Sequence, residues 1–454
     1  MKLHPLVLIA AFVATAIISY QVGVRRDSVS EGKLASSGES GDGSSGQIVY
    51  GETSAAAPGL GTLNRSVESI SPKTAQGQVS ADDPIFATLD AVIAVSADPT
   101  QRTAEFGKLL TQLTAENAQS VVERMKELPY TRTRGEQMRY LYYTWASLDG
   151  ATAAEFAGEM ETGRSKAYHF SSIAKGWASK DPAAARDWLE NELEIPPIGS
   201  GSREGYYYWT SLISGMSISD PAAADRFVID LAAESDGDRG SREAIQGYTQ
   251  TLLESKLQTG LTEGMNWARD LPSGAIRERA LKGVARSYAR TDLEGAARWV
   301  EGLGADADAA DAIQEVAEEM AERDVNASLE WAQKLPESNR PGAMREVLSE
   351  WASEDSLAAS QYLDTLQAGD ERDQAVAGFS GRVAREDPEG AATWANTIVD
   401  DDLRTRMVSE SLQNWYRQDR DAAQAWRTTN LPEDFKLQGG NRMDQWRGRG
   451  GKGG

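Results

Sequence analysis

Trp351-Ala-Ser-Glu-Asp-Ser-Leu-Ala-Ala-Ser-Gln-Tyr362 is one copy of a pattern that recurs along this chain. Trp177-Ala-Ser-Lys-Asp-Pro-Ala-Ala-Ala-Arg-Asp-Trp188 and Trp415-Tyr-Arg-Gln-Asp-Arg-Asp-Ala-Ala-Gln-Ala-Trp426 share its skeleton. Each has an aromatic residue, an Asp four residues later, small residues, and a second aromatic residue seven after the Asp. The slot filled by Asp355 recurs at 117, 149, 181, 220, 260, 292, 324, 355, 387 and 419, in steps of 31 or 32 except for two of 39 and 40. A fixed period in this range marks an array of supersecondary units. Seven residues after the slot stand Phe156, Trp188, Phe227, Trp267, Trp299, Trp331, Tyr362, Trp394 and Trp426; only Arg124 breaks the series. Four after it the residue is small, from Ala153 and Ala185 through Gly264 and Ser328 to Ala423.

The physics of the unit follows from these slots. An Asp carboxylate accepts from the orphan N–H groups of a helix's first turn, and proline at the next position, as in Pro182, Pro221 and Pro388, fits that turn. A first helix therefore begins at the Asp slot. It is expected to stop at Leu128-Pro129, Leu271-Pro272, Leu335-Pro336 and Leu431-Pro432, because a residue before proline is driven out of helical geometry. A second helix follows, with Ala and a bulky residue four apart on one face: Ala280/Val284/Tyr288, Ala312/Val316/Met320, Ala343/Val347/Trp351 and Ala375/Phe379/Val383. Neither helix buries that face alone, so neighbouring units must supply the core.

The proline-to-aromatic spacing, seen from Pro388 to Trp394, resembles the tetratricopeptide repeat. The likeness covers residues 84–432 and is partial, since the period is mostly 32 residues and the first helix is shorter. It implies a superhelical scaffold with a concave surface for a peptide or protein. The expected fold is all-α: an open, right-handed α-α superhelical solenoid of about ten helical hairpins, with a disordered N-terminal linker.

The chain has 454 residues, a net charge of −22 and a pI near 4.7, which argues against nucleic acid as the main partner. It has no cysteine, so thiolate metal sites, cysteine nucleophiles and disulfides are excluded. Its histidines are His4 and His169 alone, too few for a histidine-based zinc or catalytic site. No cofactor, metal or catalytic residue is expected. Asp236-Gly-Asp238 and Asp306-Ala-Asp308 lack the later ligands of a calcium loop. Ser172-Ile-Ala-Lys175 lacks its partner motifs.

Residues 1–26 read as a transmembrane anchor or signal segment, apolar from Leu6 to Ile18 and closed by Arg25 and Arg26. On that basis the bulk of the chain is expected to be membrane-anchored and extracytoplasmic, or secreted if the segment is cleaved. Residues 27–82, rich in Ser, Gly and Ala, read as a disordered linker. Residues 83–116 form an N-terminal helical cap, 117–434 the repeat array, and 435–454 a basic, Gly-rich disordered tail.

The two long steps place inserts near Pro196–Gly201 and Ser235–Gly240, both ending Gly-Ser-Arg-Glu. Insertions in successive repeats fall on one side of an array, often the binding side. The candidate site is therefore Arg203, Tyr206, Tyr207, Trp209 and Arg242, bound by a protein or peptide. The periodic tryptophans are assigned to the core. The function expected is a membrane-tethered interaction scaffold without catalytic activity. The alternatives are a carboxylate-based enzyme acting on a polysaccharide in a helical toroid, or a purely structural envelope protein.

Overall fold

A computed structural model describes residues 83–94, 98–199 and 202–438. Every regular element among them is helical, with no strand. The chain divides into two compact units, Met1–Trp177 and Ala178–Gly454.

The first unit contains α1 (Pro84–Ala94), α2 (Pro99–Gln112), α3 (Ala118–Lys126), α4 (Arg132–Leu148), α5 (Gly150–Met160) and α6 (Gly163–Ala178), whose last residue opens the second unit. Asp83 and Asp98 sit just before prolines and accept from the first-turn N–H groups of Ile85 and Thr100 at 2.9 and 2.8 Å. Phe106, Leu109, Leu110 and Leu113 are all buried, as the pattern of the cap predicts.

The second unit alternates short first helices with longer second ones. The first helices are α7 (Pro182–Asp187), α9 (Pro221–Glu234), α11 (Leu261–Asp270), α13 (Leu293–Glu301), α15 (Val325–Lys334), α17 (Ser356–Leu363), α19 (Pro388–Ala395) and α21 (Arg420–Asn430). The second helices are α8 (Arg203–Ser219), α10 (Arg239–Thr259), α12 (Ala275–Ala289), α14 (Ala310–Ala321), α16 (Arg340–Glu354), α18 (Asp370–Val383) and α20 (Asp401–Gln418). Each second helix packs on those of the neighbouring pairs and on the short helices beside it in sequence.

The repeat slots carry out their assigned work. Asp149, Asp181, Asp220, Asp292, Asp324, Asp355, Asp387 and Asp419 each accept from the N–H three residues on, at 2.8–3.1 Å. Only Asn117 and Gly260 give their helices no side-chain cap. The small slot is sealed: Ala153, Ala185, Ala224, Ala296, Ser328, Ala359, Ala391 and Ala423 have no exposed surface. Ser328 keeps its hydroxyl satisfied on the Ala317 carbonyl at 3.1 Å. Trp145, Trp188, Trp267, Trp299, Trp331, Trp415 and Trp426 are buried, and Trp177, Trp351 and Trp394 are half-buried.

Stacking is visible as polar contacts about one repeat apart. Trp331 Nε1 donates to Glu301 at 2.7 Å, Asn339 to the Gly304 carbonyl at 2.7 Å, and Gln418 to the Arg385 carbonyl at 3.0 Å. Asp373, 2% exposed, accepts from the backbone N–H groups of Val399 and Asp400. Where two second helices meet most closely, a Cβ at Gly378 would stand 2.0 Å from the Arg345 carbonyl oxygen.

The membrane assignment is corrected. The segment 1–26, the linker 27–82 and the tail beyond Gln438 lie outside the described residues. Among the described residues no helix is long and apolar enough to cross a membrane. The repeat needs one solvated face on every helix, and even the longest, α10, carries Arg239, Arg242, Glu243, Glu254 and Lys256. This finding overturns the transmembrane label and the membrane-anchored, extracytoplasmic localisation drawn from it.

A second difference concerns the inserts. The first is a loop after a π-turn at Trp188–Glu192. The second is mostly helix: α9 has 14 residues and α10 has 21, with only Ser235–Asp238 between them. Asp238 is the reason, because it caps α10 through the N–H groups of Gly240 and Ser241.

Candidate functional site

The five residues selected from the inserts separate by depth. Arg203 and Arg242 stand exposed in the first turns of α8 and α10, and Tyr207 is 50% exposed. Tyr206 is half-buried and stacks on Tyr248 at 5.8 Å, its ring against Gly247. Trp209 has no exposed surface: it stacks on Phe227 at 5.6 Å and donates its indole N–H to the Ile195 carbonyl at 3.1 Å. Tyr248 donates to the Pro197 carbonyl at 2.7 Å. The first insert is therefore tied down by two buried rings, and of the five only Arg203, Tyr206, Tyr207 and Arg242 keep exposed surface.

Trp209 belongs to a slot that the sequence reading passed over. Seven residues before the end-slot of each second helix stand Phe106, Met138, Phe170, Trp209, Thr249, Leu281, Ile313, Met344, Val376 and Val408, all buried. The neighbouring slot, Ala at 280, 312, 343 and 375 and Met at 407, holds Tyr208 and Tyr248 in the two wide repeats. Larger rings there are matched by longer connections.

Within the first unit, Lys126, Tyr142, Glu161 and His169 form a buried polar cluster. Glu161 Oε1 accepts from Lys126 Nζ at 2.8 Å and from the Tyr142 hydroxyl at 3.0 Å, with His169 Nδ1 3.4 Å away. Burial pushes the Glu161 carboxyl up, but His169, the Lys126 ammonium and the Tyr142 hydroxyl outweigh it and hold it at about 2. A general base works best with a pKa near the operating pH; this carboxylate is too acidic for that. Its position suits a fixed charge that joins α3, α4 and α6. Burial, with the Glu161 charge beside it, pushes the Tyr142 phenol up.

The second unit's row of second helices orders charge by position. On α12, Arg286 makes a paired contact with buried Glu315 of α14, with Lys282 3.9 Å from the same carboxylate. On α14 and α16 the exposed side is acidic. Burial raises the carboxyls of Glu318, Glu322 and Glu346; acidic neighbours raise Glu318 and Glu322 further, with Glu315, Glu346, Glu322 and Glu350 acting on Glu318, whereas Arg345 and Lys282 oppose the rise at Glu346. On α18, the turn that follows it and α20 the row turns basic, with Arg382, Arg385, Arg406 and Arg417 exposed. Arg385 and Arg417 share one slot, two residues before the capping Asp, so this signal was available in the sequence.

The aspartates weighed for calcium have other partners. Asp306 accepts from Arg277 and from the Asp308 N–H, and Asp308 from the Gly274 N–H. Among the described residues no group of acidic or histidine side chains is arranged to hold a metal ion. Comparison with protein families, curated proteins and solved structures finds nothing that matches this chain.

Proposed function

We propose that the chain is a helical-repeat scaffold that binds a protein or peptide along its row of second helices, with no bond-making step of its own. In this reading the pairs continue as an open solenoid, in keeping with the partial likeness to tetratricopeptide repeats. The observation that carries it is the crowded carboxylate side of α14 and α16, where Glu315, Glu346, Glu322 and Glu350 bear on Glu318, and Glu319 and Glu350 on Glu322. Like charges held together cost stability, and a partner with basic groups relieves that cost on binding. In this reading the exposed Arg203, Tyr207 and Arg242 of α8 and α10 offer a further contact surface in the same unit.

The test uses a photo-crosslinking residue at Ser349, between Glu346 and Glu350 on α16. In cells expressing the full chain it should give one discrete adduct, lost in the double variant Glu318→Gln/Glu322→Gln. An adduct pattern unchanged by the double variant, or no adduct at all, contradicts the reading.

A further inference from the structure

The basic end of the row has a more specific shape. Two adjoining grooves of about 400 and 460 Å³ run between α18 and α20 and along α20, sharing Glu410, Asn414 and Arg417. Four guanidinium groups line them: Arg382 from α18, Arg385 from the turn just after it, and Arg406 and Arg417 from α20. In a chain with 69 acidic and 47 basic side chains, four arginines facing one glutamate, Glu410, form a local inversion of charge. Their existing partners are weak or neutral. Arg417 donates to the Gln413 carbonyl and to Asn414 Oδ1 at 3.2 and 2.6 Å. Arg382 reaches only the exposed Glu386, at 3.6 Å. Among the described residues Arg385 and Arg406 have no side-chain partner.

A second observation points to what fits there. The chain's own segment after α21 reaches one end of the groove, and α20 side chains hold its backbone. Gln438 donates its N–H to Ser409 Oγ at 2.9 Å, and its carbonyl accepts from Gln413 Nε2 at 2.9 Å. This face of α20 thus already binds a peptide backbone through side-chain hydrogen bonds. Beyond Gln413 the same row offers Asn414, then Arg417, Arg382 of α18 and Arg385 just past its end. Gly381 leaves the floor open, since a Cβ there would meet only Met407 Cε, at 3.7 Å. The chain's own tail past Gln438 carries Arg442, Arg447, Arg449 and Lys452, the wrong sign for this groove.

We infer that the groove between α18 and α20 binds an acidic peptide segment of a partner protein, its backbone held by Asn414 and its carboxylates by Arg382, Arg385, Arg406 and Arg417. Guanidinium forks match carboxylates in paired geometry, and the four are spread along the groove rather than gathered on one point. The inference rests on the scaffold reading and names one chemistry for part of that surface.

The probe is a fluorescein-labelled octaglutamate peptide, titrated with full-length protein at low salt and followed by polarisation. The wild-type chain should bind it, with affinity falling steeply as salt rises. Arg385→Gln/Arg417→Gln should weaken binding at least tenfold. Gly381→Phe, which fills the floor and leaves all four charges, should also weaken it at least tenfold; Arg269→Gln/Arg298→Gln, at exposed arginines of α11 and α13, should leave it unchanged. Unchanged thermal melting of each variant would confirm that it folds. No binding, equal binding to the arginine variant, or displacement by equimolar inorganic phosphate would overturn the inference; the last would mark a single-anion site. If the Ser349 adduct survives while octaglutamate fails, the groove assignment falls and the scaffold reading stands.

Discussion

Gly378→Ala tests the packing of the second helices directly. Alanine normally improves a helix interior, by about 1 kcal/mol over glycine. At Gly378 the new Cβ would stand 2.0 Å from the Arg345 carbonyl oxygen and 2.9 Å from its carbon, both backbone atoms of α16. Ordinary contact begins near 3.4 Å, so the two helices must separate by on the order of 1 Å or shift along each other. The strip they would loosen includes Val347, Leu348 and Phe379, all at most 4% exposed. Overpacking of this kind costs about 1–3 kcal/mol, enough to reverse the propensity gain. Gly381 lies three residues on in the same helix, and its nearest neighbour would be 3.7 Å away. Gly381→Ala should therefore stabilise, by up to about 1 kcal/mol. Urea unfolding of both variants gives the comparison, with opposite signs expected. If Gly378→Ala stabilises as Gly381→Ala does, the close approach of α16 and α18 is wrong.

Trp299→Ala, at a ring 5% exposed, should cost about 3–5 kcal/mol in urea unfolding, while Tyr130→Ala, at a ring 83% exposed, should change little. The Glu161 carboxyl is lowered from 4.5 to about 2, so its stabilising effect is full above pH about 4.5 and is lost as pH falls toward 2. Glu161→Gln should cost about 2 kcal/mol at pH 7, and thermal melts of variant and parent should draw together below pH about 4.5 and converge only as pH falls to about 2. The raised carboxyls of Glu318 and Glu322 have the opposite sign. They cost stability above their folded pKa values and cease to do so as pH falls to about 4.5. Glu318→Gln/Glu322→Gln should therefore melt above the parent at pH 7.5, with the gap closing near pH 4.5 and in high salt.

Most helix starts were legible because one residue decides each of them. An Asp at the slot offers its carboxylate to the N–H three residues on, and Leu-Pro closes the helix wherever it occurs. The small slots were legible because stacked helices leave no room there. What escaped was two-dimensional. Trp209 was set apart from the periodic rings because it lies in a long step, yet counting from the far end of its helix puts it in line with Leu281 and Met344. The length of the second insert does not say what it forms; Asp238 caps α10 and makes most of it helix. The clustering of Arg382, Arg385, Arg406 and Arg417 depends on which sides of α18 and α20 meet. Only the shared slot of Arg385 and Arg417 announces it.

Residue-resolved hydroxyl-radical footprinting of the folded chain tests the account most directly, because it asks whether the recurring rings are wedges inside the stack. Trp145, Trp188, Trp209, Trp299 and Trp331, each at most 6% exposed, should resist oxidation until urea unfolds the chain, while Tyr130, Tyr168 and Tyr207, at least 50% exposed, should react at once. Indoles that oxidise in the folded chain as fast as those tyrosines would contradict it.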